Sequence, residues 1–563
     1  MSTLLTLHDP QTARRYYEAG YWGEDTLYAL LAGHARIRPD AYALRDSRRR
    51  LTWSALRAWV DAAALDLHQA GLKRGQRVSV WLPNRVEAVV VLLACSRNGY
   101  VCNPSLHQNY TVAEIVTLLE RIQTAALFAQ PGYGADADRA DVFAAAKALP
   151  AMRRLYCLDA RGAPAAPAPG TVAFPAPGAA PDPQALPEAF RNPDKICSLA
   201  FTSGTTGTPK GVMHSDNTLL ANGRAMVRDW RHDERTVLYS MSPLSHHIAT
   251  VAIGQSLAGG FELVVNDLPA GSKPLDWILE TGASYVMGVP THGIDLLADM
   301  RRRGIEKPGR LSVFYMAGSV IPPETARAFL EMGIKPQNVY GMTENGSHQY
   351  TLPDDDMEAI TTTCGKACHG YETRLWDPEN PDVEAAPGEI GEIGTRGALL
   401  MLGYFDNQAA TEASFNRSGW FMSGDLGRVD ANGNLQIVGR KKDLIIRGGH
   451  NIYPARIENL TMKHPAVLKA AVYPVADARL GERVCLAVIA RDGASTDPDT
   501  LLAHLAAAGL SRHDMPEYFV RLDAFPLTAS GKILKRELVE WTRSGRIQPV
   551  AVRWAGGKAG RGQ

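Results

Sequence analysis

Long apolar runs are missing from this chain. The longest, Ala88–Cys95, falls far short of the roughly 20 residues that cross a bilayer, so no membrane span is expected. Met1–Trp22 is polar and charged and lacks the apolar core of a secretory signal. Charge of one sign is also missing. Lys and Arg number 60 against 59 Asp and Glu, a net +1, which gives no reason to expect nucleic acid or an anionic membrane as partner. Cysteine is sparse: seven, odd in number and dispersed along 563 residues. That usage reads as reduced thiols in a cytoplasmic protein. Cys364, Cys368 and His369 are close together, but no second ligand pair accompanies them. We therefore read them as loop residues and not as a zinc site. There are no internal repeats.

What is present is the text of a large globular protein. The length demands two or more domains. Residues 24–160 alternate helical and strand patterns. Leu27–Ala35, Trp53–Ala70 and Arg85–Arg97 read as helices and Arg77–Leu82 as a strand. Such alternation predicts a parallel sheet with helices on its faces. Arg161–Pro187 is rich in Pro, Ala and Gly and reads as an excursion without regular helix. Alternation resumes from Lys195 to about Leu330. Short strands with glycine turns across Glu389–Val438 imply a small antiparallel or barrel-like unit. After Gly439 an α+β pattern of domain size begins, with strands near Asp443–Ile446, Lys469–Val475 and Arg483–Ile489. Helices are expected there near Pro454–His464 and Pro498–Ala508. Three segments are expected: 1–439, 440–545, and a flexible tail, 546–563.

The most telling stretch is Thr202-Ser203-Gly204-Thr205-Thr206-Gly207-Thr208-Pro209-Lys210-Gly211, after the strand-like Ile196–Phe201. Glycine lets backbone N–H groups approach an anion, hydroxyls add donors, and Lys210 adds charge. It is not G-x-x-x-x-G-K-[ST], so the ordinary P-loop is set aside. Further segments follow in order. Ser242-Pro243-Leu244-Ser245-His246-His247 opens a helical stretch, and Met316-Ala317-Gly318-Ser319 ends a strand. Tyr340-Gly341-Met342-Thr343-Glu344 offers a stacking ring, a close-approach point, a hydroxyl and a carboxylate fit for Mg²⁺. Asp425, after Gly424, is able to accept from both ribose hydroxyls. A basic cluster, Gly439-Arg440-Lys441-Lys442-Asp443, precedes Arg447-Gly448-Gly449-His450, and Ser530-Gly531-Lys532 lies far downstream. Taken singly, each has a plain reading as a loop, turn or surface residue.

Together and in this order the segments resemble the adenylate-forming superfamily from about Leu27 to Lys535. Within it, Gly439–Asn451 and Ala478–Arg483 look most like short- and medium-chain acyl-CoA synthetases and cyclohexanecarboxylate–CoA ligases. The resemblance implies an α/β fold. Its large N-terminal domain would hold two stacked αβαβα-type subdomains and a small β-barrel-like subdomain, followed by a small, mobile α+β C-terminal domain. It also implies two steps, formation of an acyl-adenylate from ATP and transfer of the acyl group to coenzyme A. Thr202, Ser203, Gly204, Thr205, Thr206, Gly207 and Lys210 would hold phosphates. Gly318, Ser319, Tyr340, Gly341 and Met342 would line the nucleotide. Asp425 and Arg440 would hold the ribose, Glu344 would carry Mg²⁺, and Thr343 would lie near the α-phosphate. Lys532 would bridge developing charge. Lys442 matches the hinge, and Gly448, Gly449 and His450 the CoA tunnel. His246 matches the tunnel gate, with His247 able to share that role. Many relatives carry a histidine where this chain has Asp216, and neither it nor Ser215 is given a role. The expected partners are a small carboxylic acid, ATP and CoA, with a homodimer left open. An aryl-acid ligase is the nearest rival. Few aromatic or charged residues in His246–Gln255, Met287–Ile294 and Asn345–His348 lean toward aliphatic acids.

Overall fold

The computed structural model describes residues 5–160, 168–178, 180–202, 209–318, 321–528 and 532–554. The chain divides into two compact units. One comprises Met1–Thr373, Thr395–Phe415 and Gly419–Phe421; the other comprises Arg374–Gly394, Asn416–Ser418 and Met422–Gln563.

The first unit is built on two sheets. In the nine-stranded sheet the spatial order is Lys366–Ala367, Gly346–Tyr350, Lys335–Met342, Val313–Ala317, Tyr285–Gly288, Val237–Ser240, Glu262–Val265, Tyr42–Arg45, Arg50–Thr52. The strands from Lys335–Met342 through Tyr42–Arg45 pair in parallel. In the six-stranded sheet the order is Arg154–Cys157, Thr124–Ala129, Arg77–Trp81, Val101–Asn103, Ile196–Thr202, Lys210–Ser215. Its last pair is an antiparallel hairpin.

Hydroxyl caps start the helices where the sequence pattern does. Thr26, Thr52 and Ser215 accept from Ala29, Ala55 and Thr218 N–H groups at 3.1, 3.2 and 3.1 Å, satisfying donors that a helix start leaves open. Helices Leu27–Ile37, Trp53–Gln69, Val86–Asn98, Asp216–Asp229 and His247–Gly259 share one apolar core, with Leu31, Trp59, Val90, Leu220 and Ala252 inside it. The other face of the nine-stranded sheet turns Val286, Phe314 and Met316 onto Leu296, Leu297 and Phe329 of the helices Pro290–Arg303 and Pro323–Glu331. Helix–sheet alternation thus gives the α/β layering that the sequence predicts.

The short strands expected across 389–438 form a four-stranded sheet, ordered Tyr371–Trp376, Gly391–Gly397, Phe421–Val429, Leu435–Arg440. The second unit continues with the antiparallel pair Val467–Asp477 and Gly481–Ala490. Ile457, Leu501 and Leu505 from two helices pack on Val472, Val484 and Leu486, and Leu538 packs with Ala471, Tyr473 and Cys485. Asp443, expected in a strand, lies instead in a 3₁₀ turn, Lys441–Asp443, ahead of the strand Ile445–Arg447. Among the described residues no helix is long and apolar enough to cross a membrane. None of them forms a group of three or more His, Cys, Asp or Glu able to hold a metal.

Candidate active site

Thr202 and Lys210 face each other across the hairpin that carries the glycine-rich loop. The loop therefore joins two antiparallel strands, where a Walker A loop would lead into a helix. Ser203, Gly204, Thr205, Thr206 and Gly207 lie outside the described residues, as do Ser319, Ser530 and Gly531.

Lys210 Nζ lies 4.6 Å from the ring centre of Tyr404. The Tyr404 hydroxyl donates to Glu344 Oε1 at 3.0 Å. The lysine of the glycine-rich hairpin and the carboxylate of the Tyr-Gly-Met-Thr-Glu segment thus meet on one buried ring. Burial, and then the Glu344 charge, push the Tyr404 phenol well above its ordinary range; it stays protonated and donates. Backbone bonds lock the arrangement. Phe405 N–H donates to Gly211 at 2.7 Å, Leu402 N–H to Met213 at 2.8 Å, and Met401 N–H to Glu344 at 2.7 Å. Tyr404 was not foreseen, since nothing in the pattern around it sets it apart from a core aromatic.

His214 is a second residue the sequence did not reveal. Its Nε2–H donates to the Thr343 carbonyl at 2.7 Å, and Nδ1 lies 3.0 Å from Thr218 Oγ1. Burial holds it neutral, its pKa lowered to about 4. The His247 ring stacks on it at 5.0 Å. His247 is thereby engaged with the histidine that holds the Thr343 carbonyl. His246 sits instead at the N-terminal cap of the helix His247–Gly259, 4.6 Å from the ring of His107. His107 Nδ1 lies 2.8 Å from Ser245 Oγ. Burial, and then His246, lower the His107 pKa to about 3.

Tyr340 lies near the end of the strand Lys335–Met342, and the buried His348 ring meets it edge-on at 5.2 Å. Gly341 has a steric reason to be glycine, because a Cβ there would lie 1.8 Å from the Gly346 carbonyl oxygen. Gly318 follows directly on the neighbouring strand, Val313–Ala317. Asp216 also acquires an account. It is fully buried, paired with Lys195, and accepts from Leu27 N–H at 2.8 Å and Ser96 Oγ at 2.6 Å. It ties two helix starts together within the core.

In the second unit Asp425 and Arg440 are register partners on adjacent strands, joined by an ion pair of 3.1 Å. Asp425 lies within the strand Phe421–Val429, not on a turn as its preceding glycine suggests. Desolvation, then Arg440 and also Lys532, lower the Lys442 pKa, so these cations share one neighbourhood. Lys532 is exposed; its N–H donates to Thr528 Oγ1 at 3.0 Å. Gly448 and Gly449 form the two-residue link between strands Ile445–Arg447 and His450–Ile452, with φ of 59° and 84°. Two consecutive positive φ values are those of a tight primed hairpin turn. His450 Nε2 pairs with Asp514 at 2.8 Å.

The family model described as AMP-binding enzyme matches residues 31–405, and that of the AMP-binding enzyme C-terminal domain matches 456–532. The chain belongs to the AMP-binding enzyme family. It is 30% identical over 539 residues to the medium-chain fatty-acid–CoA ligase of Escherichia coli (strain K12), spanning 95% of this chain and 93% of that protein. It is 31% identical over 535 residues to the 2-hydroxy-7-methoxy-5-methyl-1-naphthoate–CoA ligase of Streptomyces carzinostaticus, spanning 93% of this chain and 95% of that one. The crystal structure of ATP-bound MatB from Rhodopseudomonas palustris superposes with a TM-score of 0.79 at 27% identity, over 93% of this chain and 99% of that one. The expectation of an AMP-forming acid–CoA ligase is met at the level of the family.

Proposed function

We propose that this protein is an ATP-dependent carboxylate–CoA ligase acting on a short-chain, medium-chain or alicyclic acid. The observation that carries the reading is the meeting of Lys210, Tyr404 and Glu344, which sets a cation beside a carboxylate just past the end of the parallel-paired strand Lys335–Met342. Ligands of open α/β sheets bind at such strand ends. In the first step a carboxylate oxygen attacks the α-phosphorus of ATP, and the bond to pyrophosphate breaks. In the second, the CoA sulfur attacks the acyl carbon, AMP leaves, and the thiol proton is released.

Lys210 and the Thr202–Gly207 loop hold the β- and γ-phosphates. Gly318, Ser319, Tyr340, Gly341 and Met342 receive the nucleotide, and Asp425 with Arg440 takes the ribose hydroxyls. Thr343 lies near the α-phosphate. Its backbone is held by the hydrogen bond that the neutral His214 donates. Glu344, an oxygen donor oriented by the Tyr404 hydroxyl, suits Mg²⁺, which takes one or two carboxylates alongside phosphate oxygens. Bound there, the ion would neutralise phosphate charge. Lys532 supplies preorganised positive charge to the first step. Lys442 acts as the hinge, His246 as the tunnel gate, and Gly448, Gly449 and His450 face CoA in the second step.

An aryl acid is the second reading, favoured by the match to a relative named as a naphthoate ligase. The test is a panel from acetate to laurate with cyclohexanecarboxylate and benzoate, scored by CoA-dependent AMP release. Release with an aliphatic or alicyclic acid is expected. Activity with benzoate alone would favour the aryl reading, and no release with any acid would sink both.

A further inference from the structure

The two faces of the nine-stranded sheet differ in a way that stability does not require. One face packs Val286, Phe314 and Met316 against Leu296, Leu297 and Phe329 of two helices. The face toward the helix His247–Gly259 carries a row in register: Ser240, Met287, Tyr315 and Gln337 are successive partners on four adjacent parallel strands. Register partners on parallel strands project from the same face. Gln255, from that helix, sends its Nε2 to Met287 Sδ at 3.2 Å. Tyr315 OH meets Ser347 Oγ at 2.9 Å, and Tyr285 OH donates to Gln337 Oε1 at 3.0 Å.

Ser240, Gln255 and Gln337 are 1%, 0% and 0% exposed. Even so, Ser240 Oγ, Gln255 Oε1 and Gln337 Nε2 have no hydrogen-bond partner among the described residues. Turning the Gln337 amide over would satisfy Tyr285 equally well and leave its oxygen unpaired instead. Buried polar atoms left unpaired are costly, so they mark a place where a partner is supplied from elsewhere. The row sits two residues before Ala317, which ends its strand immediately ahead of Gly318. Along a strand that is about 7 Å below the rim where the proposed adenylate forms.

We propose that this row is the floor of the acid site, and that the acid carries a hydroxyl about five or six bonds from its carboxylate, at the depth of the row. The proposal rests on the ligase reading above and narrows its substrate class. A plain hydrocarbon tail would leave Ser240, Gln255 and Gln337 unsatisfied. A hydroxyl at that depth gives them both a donor and an acceptor.

The test compares kcat/KM for acid-dependent ATP–pyrophosphate exchange within matched pairs. These are hexanoate against ω-hydroxyhexanoate, cyclohexanecarboxylate against its para-hydroxy derivative, and benzoate against para-hydroxybenzoate. The native protein should prefer the hydroxy member of at least one pair by roughly 10-fold or more, the scale set by leaving buried polar groups unpaired. Gln255→Leu and Gln337→Met should bring that ratio toward one. Ser240→Ala, a milder change, probes the same row should either glutamine variant fail to fold. Exchange with equal or greater efficiency for every apolar member would overturn the polar floor, as would a preference that none of the three variants moves; both results assign the unpaired atoms to bound water. No exchange with any acid would instead overturn the ligase reading itself.

Discussion

The strand ends of the nine-stranded sheet and the loops of the smaller unit hold their reactive groups in opposite ways. Glu344 is gripped by Tyr404, and its backbone by Met401; Thr343 is gripped by His214, which is itself buried against His247. Lys532 and the Gly448–Gly449 turn are exposed; Lys532 N–H donates to Thr528 Oγ1 and Gly448 N–H to the Leu480 carbonyl. Preorganised charge is most effective where its surroundings do not have to rearrange. The interlocked residues suit the α-phosphate, the one phosphate carried through both steps. Exposed loops suit groups needed for one step only, the arrangement expected of alternating domain poses.

This contrast can be broken in order of expected effect. Lys532→Ala should cut adenylation roughly 10²-fold or more, while thioester formation from supplied acyl-adenylate and CoA largely survives; equal losses in both half-reactions would end the one-step assignment. Gly449→Leu should do the reverse, slowing CoA transfer and sparing pyrophosphate exchange. Because the native φ is 84°, a side chain there also costs about 1–2 kcal/mol of backbone strain, so a melting curve should accompany the kinetics. Tyr404→Phe removes one hydrogen bond to a carboxylate. We expect adenylation to fall about 5- to 20-fold, on the scale of about 1–2 kcal/mol, and to need more magnesium; an unchanged magnesium requirement would remove Tyr404 from the Glu344 assembly.

The smallest effect is a pH dependence of stability. His107, His214 and His348 have pKa values lowered to about 3, 4 and 3, chiefly by burial, whereas the unfolded chain's histidines titrate near 6.5. Between those values the unfolded state binds more protons, so stability rises with pH there. It should be fully present above about pH 6.5 and lost as pH falls toward the folded values. Replacing His214 with Asn should flatten that slope in denaturant titrations across the range; an unaltered slope would show that His214 is not neutral in the folded protein.

The helices and the α/β layering were legible because caps and apolar periodicity are local. Thr26, Thr52 and Ser215 stand next to the residues they cap. The strand at Arg77 and the helix after Arg85 follow from runs of apolar residues a few positions long. Gly424 ahead of Asp425 is a local turn signal, and cross-strand pairing of Asp425 with Arg440 overrides it. Tyr404 and His214 were missed for a related reason. Their partners, Glu344 and Thr343, are 60 and 129 positions away, and no spacing rule links them.

By itself the sequence determined the family, because spaced motifs carry it in residue identity. Only the tertiary structure decided which histidine holds Thr343, what grips Glu344, and how polar the sheet face two residues before Ala317 is. Those properties depend on register between distant strands. In a sheet, register is set by the packing of whole faces, and a one-residue slip would turn Ser240, Tyr315 and Gln337 to the opposite side.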